Sequence, residues 1–160
     1  MELAQLNIAR LAAPLESPAL ADFVANLDRI NALAEASAGF VWRFEEPPGR
    51  APQATQAFGG EFIVNLSVWR TIEHLHDYVY RSAHAPIMAR RREWFERMDE
   101  AHTVLWWIPD AHRPTPAEAA KRLACLRERG PSAEAFTFKH SFPAQDDTNT
   151  DDARQGHCTR

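Results

Sequence analysis

Three short runs of this chain are apolar on both sides, and that feature most limits what it can fold into. In Glu61 to Trp69, Phe62, Val64, Leu66 and Val68 alternate with Ile63, Asn65, Ser67 and Trp69, the pattern of an extended strand. In His102 to Ile108, Leu105 and Trp107 oppose Val104 and Trp106. Phe40-Val41-Trp42-Arg43-Phe44 sets three aromatics on one face and Val41 and Arg43 on the other. Strands of this kind cannot leave either face in water, so the sheet they form needs a cover on both sides.

The remaining elements follow from local signals. Leu3 to Leu11 reads as a strand with Leu6 and Ile8 on one face and Gln5 and Asn7 on the other. Ser17-Pro18 offers a cap and first-turn proline for a helix carrying Leu20, Phe23, Val24, Leu27, Ile30 and Ala34, stopped by Gly39. Glu46 to Gly60 has no periodicity and reads as a flexible loop. Thr71 caps a helix with Ile72, Leu75 and Val79 inward. After a break at Ser82 to Pro86, a second helical run carries Ile87, Arg91, Trp94, Phe95 and Met98. Thr115-Pro116-Ala117-Glu118 is a capping box whose helix ends at Gly130-Pro131.

This order predicts an α+β fold: a ferredoxin-like βαββαβ antiparallel sheet with helices on one face and an extra C-terminal helix. One domain spans 1–140, and 141–160 is a disordered polar tail. With helices on one face only, the second apolar face is expected to meet a second copy, giving a homodimer through the sheet.

Composition narrows the function classes. The 160 residues are 45% hydrophobic and carry a net charge of −4, which gives no electrostatic reason to expect nucleic acid as a partner. No stretch approaches the ~18–20 apolar residues of a membrane span, and the N-terminus lacks a secretory pattern, so a cytoplasmic location is expected. Cys125 and Cys158 stand outside any metal-ligand spacing and read as two free thiols. Five Trp and nine Phe against two Tyr make the aromatic content apolar, suited to core and interface. Phosphate-binding glycine loops and nucleophile elbows are absent.

Leu3-Ala4-Gln5-Leu6-Asn7-Ile8-Ala9-Arg10, Gly39-Phe40-Val41-Trp42-Arg43 and Val64-Asn65-Leu66-Ser67-Val68-Trp69 carry a family likeness, as do Tyr78-Val79-Tyr80, His84, Arg90-Arg91-Arg92-Glu93-Trp94-Phe95 and Leu105-Trp106-Trp107-Ile108-Pro109. On these residues the chain resembles the dimeric α/β-barrel superfamily of antibiotic-biosynthesis and haem-degrading monooxygenases. Within it, the chain is most similar to a bacterial domain-of-unknown-function family. The resemblance implies a small-molecule monooxygenase, haem-dependent or cofactor-independent, with a pocket between sheet and helices. In the haem-degrading relatives an Asn, a Trp and an axial His surround the porphyrin. Asn7 matches the Asn, His84 the ligand, and Tyr78 stands at the Trp position.

Each candidate also has a structural reading. Asn7 is either a polarising donor to a ligand or a satisfied strand amide. His84 is an iron ligand, a general base or a helix-terminal cap. Trp69 and Tyr78 are pocket walls or core. Arg90-Arg91-Arg92, followed by Glu93, Glu96, Asp99 and Glu100, reads as a solvated helix face with i to i+4 pairs. Arg91 also shares a stripe with Ile87, Trp94 and Met98 and could reach inward to a carboxylate such as a haem propionate. Arg43, Asn65 and Ser67 are the polar exceptions expected to line the substrate pocket. The alternative to an enzyme is a non-catalytic homodimer that binds a small apolar or aromatic ligand, or an interaction protein that binds a partner.

Overall fold

The computed structural model describes residues 1–145 and is an α+β fold built on one four-stranded antiparallel sheet. Its strands are β1 (Glu2–Arg10), β2 (Phe40–Arg43), β3 (Phe62–Trp69) and β4 (Thr103–Ile108), in the order β2-β3-β1-β4. β1 is central, pairing from Leu3 opposite Trp69 to Arg10 opposite Phe62 on one side and from Glu2 opposite Ile108 to Asn7 opposite Thr103 on the other. Six α-helices accompany the sheet among the described residues: α1 (Ala21–Glu35), α2 (Gln53–Phe58), α3 (Ile72–Arg81), α4 (Ala85–Ala89), α5 (Arg91–Trp94) and α6 (Pro116–Arg129).

Both faces of the sheet are covered from within the chain. Leu3, Trp69, Leu105 and Trp107 point to the first face, where Ala34 of α1 and Leu75 and Tyr78 of α3 meet them. Phe136 joins this layer by bridging Leu105 at the outer edge of β4. Ala4, Leu6, Ile8, Leu66, Val68, Val104, Trp106 and Ile108 form the second face, and Ala119, Leu123 and Leu126 of α6 close over it. α2 lies beside α6 and adds Phe58 to that cluster. The expectation of helices on one face is therefore corrected. The apolar area on which a sheet-to-sheet homodimer was argued is occupied by α6 and α2. An amphipathic stripe states that a helix is buried, but not on which side of a sheet.

Local chemistry explains most element ends. The Thr115 hydroxyl accepts from the Glu118 N–H at 3.1 Å, Pro116 opens α6, and Gly130 ends it at φ +76°. Ser17 does not cap α1: a 3-10 turn (Pro18–Leu20) intervenes, and the buried Ser17 hydroxyl has no partner among the described residues. A bulge in β2 breaks the expected alternation, so Phe40 sits against Trp69 on the first face while Trp42 and Phe44 join the second. The expected loop Glu46 to Gly60 contains α2, whose first N–H groups at Gln53 and Ala54 are capped by the Glu46 carboxylate at 2.9 and 2.7 Å. The helical run expected to reach Met98 divides at Arg90 and stops at Trp94, because Phe95 turns extended and bridges Leu11.

Two expectations concern the C-terminal region. Cys125 is disulfide-bonded rather than a free thiol. Cys158 and residues 146–160 of the expected tail lie outside the described residues. Packing continues to Phe142, whose ring meets Phe136 and whose carbonyl accepts from the Trp107 indole at 2.7 Å.

Candidate functional site

Polar side chains are rare inside this sheet, and two of them touch. Gln5 and Ser67 are buried on the first face, opposite each other on β1 and β3. The Ser67 hydroxyl donates to the Gln5 side-chain oxygen Oε1 at 2.8 Å and accepts from the Trp69 indole N–H at 2.9 Å. Each group is thereby satisfied in a place where an unpaired one costs ~1–3 kcal/mol. Ser67→Ala strands both the indole and the amide, so a loss of about 2–4 kcal/mol is expected in urea unfolding. A loss no larger than that of an exposed serine would contradict the network.

The Trp69 ring continues into a column. It stacks on Tyr78 with centroids 5.1 Å apart, and Tyr78 stacks on His84 at 4.8 Å. Thr71 sets the phase of α3 by accepting from the His74 N–H at 3.3 Å, which turns Leu75 and Tyr78 inward. Ser82 ends that helix by donating to the Tyr78 carbonyl and accepting from the His84 N–H at 3.1 Å. His84 then opens α4, its carbonyl accepting from Ile87 and Met88, with Pro86 in the first turn. The helix-end reading of His84 applies to its main chain, which opens α4, and to its ring, which lies 3.5 Å from the Val79 carbonyl of α3 while stacking on Tyr78.

Burial moves the two titratable members of the column apart. The Tyr78 phenol is pushed up to about 12. The half-buried His84 imidazole is pushed below the ordinary histidine value by burial, opposed by a long contact to the Val79 carbonyl at 3.5 Å. At neutral pH the phenol is protonated and the imidazole neutral. The unfolded chain takes up the His84 proton first as pH falls through about 6.5, so stability from this group is complete above that value and lost below it. The native protein should lose more thermal stability from about pH 7 to about pH 5 than His84→Gln does. Parallel pH profiles for the two would refute this.

The other candidates separate. The Asn7 amide donates to the Thr103 hydroxyl at 2.8 Å, the satisfied strand amide of the two readings. Asn65 lies opposite Asn7 and is exposed. Arg43 lies opposite Ser67 in register, but its guanidinium pairs with Glu35 at 2.6 Å and with Glu45. Arg91 does not reach inward: it is exposed and donates to the Met88 carbonyl at 3.3 Å. Its neighbour Arg90 lies over the Trp94 ring instead, 4.7 Å from the centroid.

A cleft of about 1000 Å³ opens at the opposite end of β3, between the Leu11–Glu16 loop, the end of β2, the start of α2 and Gly60–Val64. Leu15, Phe44, Phe62 and Val64 supply apolar wall, with Glu16 and Glu61 at its polar margin. Arg43 alone of the expected site residues lines it. The sequence signal for this cleft is the aperiodic Pro- and Gly-rich stretch from Glu46 to Gly60, which is too unspecific to identify a site.

A haem does not fit these residues. His84, the axial ligand that the resemblance implies, stands in the aromatic column with Tyr78, and the cleft contains neither His84, Tyr78, Trp69 nor Arg91. The cleft itself presents Glu16, Glu45, Glu46 and Glu61, a repulsive surface for propionates. Among the described residues, no group of three or more His, Cys, Asp or Glu is placed to hold a metal ion. No described helix is long and apolar enough to cross a membrane.

No curated protein matches the chain. Two solved structures are similar to it. SnoaB, a cofactor-independent oxygenase from Streptomyces nogalater, is 16% identical over 69% of this chain and 95% of its own, with a TM-score of 0.45. The NE2512 protein of unknown function from Nitrosomonas europaea is 18% identical over 71% of this chain and 94% of its own, with a TM-score of 0.48. The family model described as a domain of unknown function, DUF3291, matches residues 2–152, and on that near-complete match the chain belongs to the DUF3291 family.

Proposed function

We propose that the protein is a small-molecule-binding member of the monooxygenase-like class that holds a largely apolar ligand in the cleft at the start of β3, without haem. The cleft carries this reading: a concavity of about 1000 Å³ with apolar walls and a few polar groups at its margin has the size and lining of a ligand site. Both sheet faces are covered within the chain, so the partner this reading assigns is a ligand rather than a second sheet.

Tryptamine, an aromatic amine, is a suitable probe. Thr55 borders the cleft and is exposed, so Thr55→Trp should fill it and weaken tryptamine binding about tenfold or more in calorimetry, while His84→Ala leaves binding unchanged. Binding lost in His84→Ala and retained in Thr55→Trp would sink this reading.

A second reading, catalysis, is favoured by the Tyr78–His84 pair. The two rings are stacked, Tyr78 buried and His84 half-buried. At neutral pH the phenol is protonated and the imidazole neutral, so His84 is the member of the pair able to accept a proton. From Val64 at the cleft to Trp69 at the column is roughly 16 Å along β3 at ~3.3 Å per residue. One small ligand does not span both, which is why binding in the cleft is the first reading.

A further inference from the structure

The cleft contains an unfinished sheet edge. β2 covers β3 only as far as Arg43 opposite Ser67, with one more rung from the Phe44 N–H to the Leu66 carbonyl at 2.8 Å. β3 continues for several residues beyond that rung, toward Phe62. In an antiparallel ladder, successive residues direct their N–H and C=O groups to opposite sides. Leu66 and Arg70 bond toward β2, the latter to Gly39 at 2.8 Å, whereas Glu61 bonds toward β1 by accepting from Leu11 at 2.8 Å. The same alternation directs the main-chain groups of Phe62 and Val64 to the side that β2 has vacated. Both residues line the cleft.

Carboxylates outnumber cations around this edge: Glu16, Glu45, Glu46 and Glu61 stand against Arg43 in the cleft and Arg10 over the Phe62 ring, 5.1 Å from its centroid. Of the four carboxylates in the cleft, Glu45 is paired with Arg43, and Glu46 caps α2. Glu61, next to the open edge, and Glu16, on the loop bounding the cleft, have no ion-pair partner among the described residues. Arg43 is already shared between Glu35 and Glu45.

We infer that the cleft accepts a short basic peptide segment as an added strand. Two or three of its residues pair with the main chain of Phe62 and Val64, and its Lys or Arg side chains meet Glu16 and Glu61. The open stretch from Phe62 to Val64 measures roughly 7 Å at ~3.3 Å per residue, within the reach of such a segment. This inference rests on the cleft being the ligand site and goes beyond the small apolar ligand by assigning the same cleft a second, basic and peptidic class of ligand.

The test uses the full chain and the peptide acetyl-Lys-Val-Arg-Val-Lys-amide, followed by amide NMR and calorimetry. Binding should slow hydrogen exchange at the Phe62 and Val64 amides and compete with tryptamine. N-methylation of the peptide on alternate amides should weaken binding about tenfold in one phase and leave it unchanged in the other, as strand addition requires. Glu16→Gln with Glu61→Gln should weaken the peptide, with its three cationic side chains, about tenfold, and the singly charged tryptamine clearly less. Equal affinities for both methylation phases, or an unchanged affinity in the double variant, would overturn the inference and leave the cleft standing as a tryptamine site. If tryptamine also fails to bind there, the inference falls together with the reading beneath it.

Discussion

Trp106→Ala is expected to cost about 3–5 kcal/mol of folding stability, a large part of the ~5–15 kcal/mol that holds a typical domain together. Trp106 is fully buried in the second-face cluster, between β4 and α6. Its indole N–H donates to one Glu118 carboxylate oxygen at 3.2 Å, and the other oxygen meets His112 at 2.8 Å. Truncation opens a cavity under α6 and releases the polar contact that ties the first turn of that helix to the sheet. Urea unfolding provides the measurement. Trp107→Ala, on the opposite face and only half-buried, should cost clearly less, and the reverse order would mean that α6 does not cover this face.

Gly39→Ala is the second large effect. Gly39 has φ +77°, where an L side chain is strained by about 1–2 kcal/mol. An added Cβ would also lie 2.2 Å from the His74 ring and 2.6 Å from the His74 Cβ. His74 cannot swing aside freely, because its ring contacts Thr71 at 3.0 Å and its N–H is part of the α3 cap. The combined loss should be about 3–5 kcal/mol, at the upper end for single substitutions. Gly49 separates the two contributions, having φ +74° with nothing within 4 Å of an added Cβ. Gly49→Ala should lose only the backbone part, and equal thermal shifts for the two variants would remove the His74 contact from the explanation.

How far the sequence alone led depended on the range of the interactions involved. β1, β3 and β4 were legible because alternation is local, and so were the Thr71 and Thr115 caps, each made within three residues. The face taken by α6 was not legible, since its stripe of Ala119, Leu123 and Leu126 fits either side of a sheet. The β2 bulge was hidden because Phe40, Trp42 and Phe44 are all aromatic, so the shift of face between the first and second leaves no trace in the pattern.

The candidate site divides in the same way. Ser67 and Trp69 share a strand face by periodicity, and the family resemblance singled out Tyr78 and His84 as site residues; the structure brings them into one column with Gln5. Of the two readings of Arg91, the solvated helix face agrees with the structure and the inward reach does not, because the helix divides at Arg90 and the stripe shared with Ile87 is broken there. The cleft depends on β2 ending earlier than β3, a difference in strand length that no single segment records.

The most direct test of the account is an amide NMR map of the full chain titrated with tryptamine. The cleft reading expects shifts at Arg43, Phe44, Phe62 and Val64, with Tyr78 and His84 unmoved. Shifts confined to Tyr78, His84 and Trp69, with the cleft residues silent, would contradict it and move the ligand to the aromatic column.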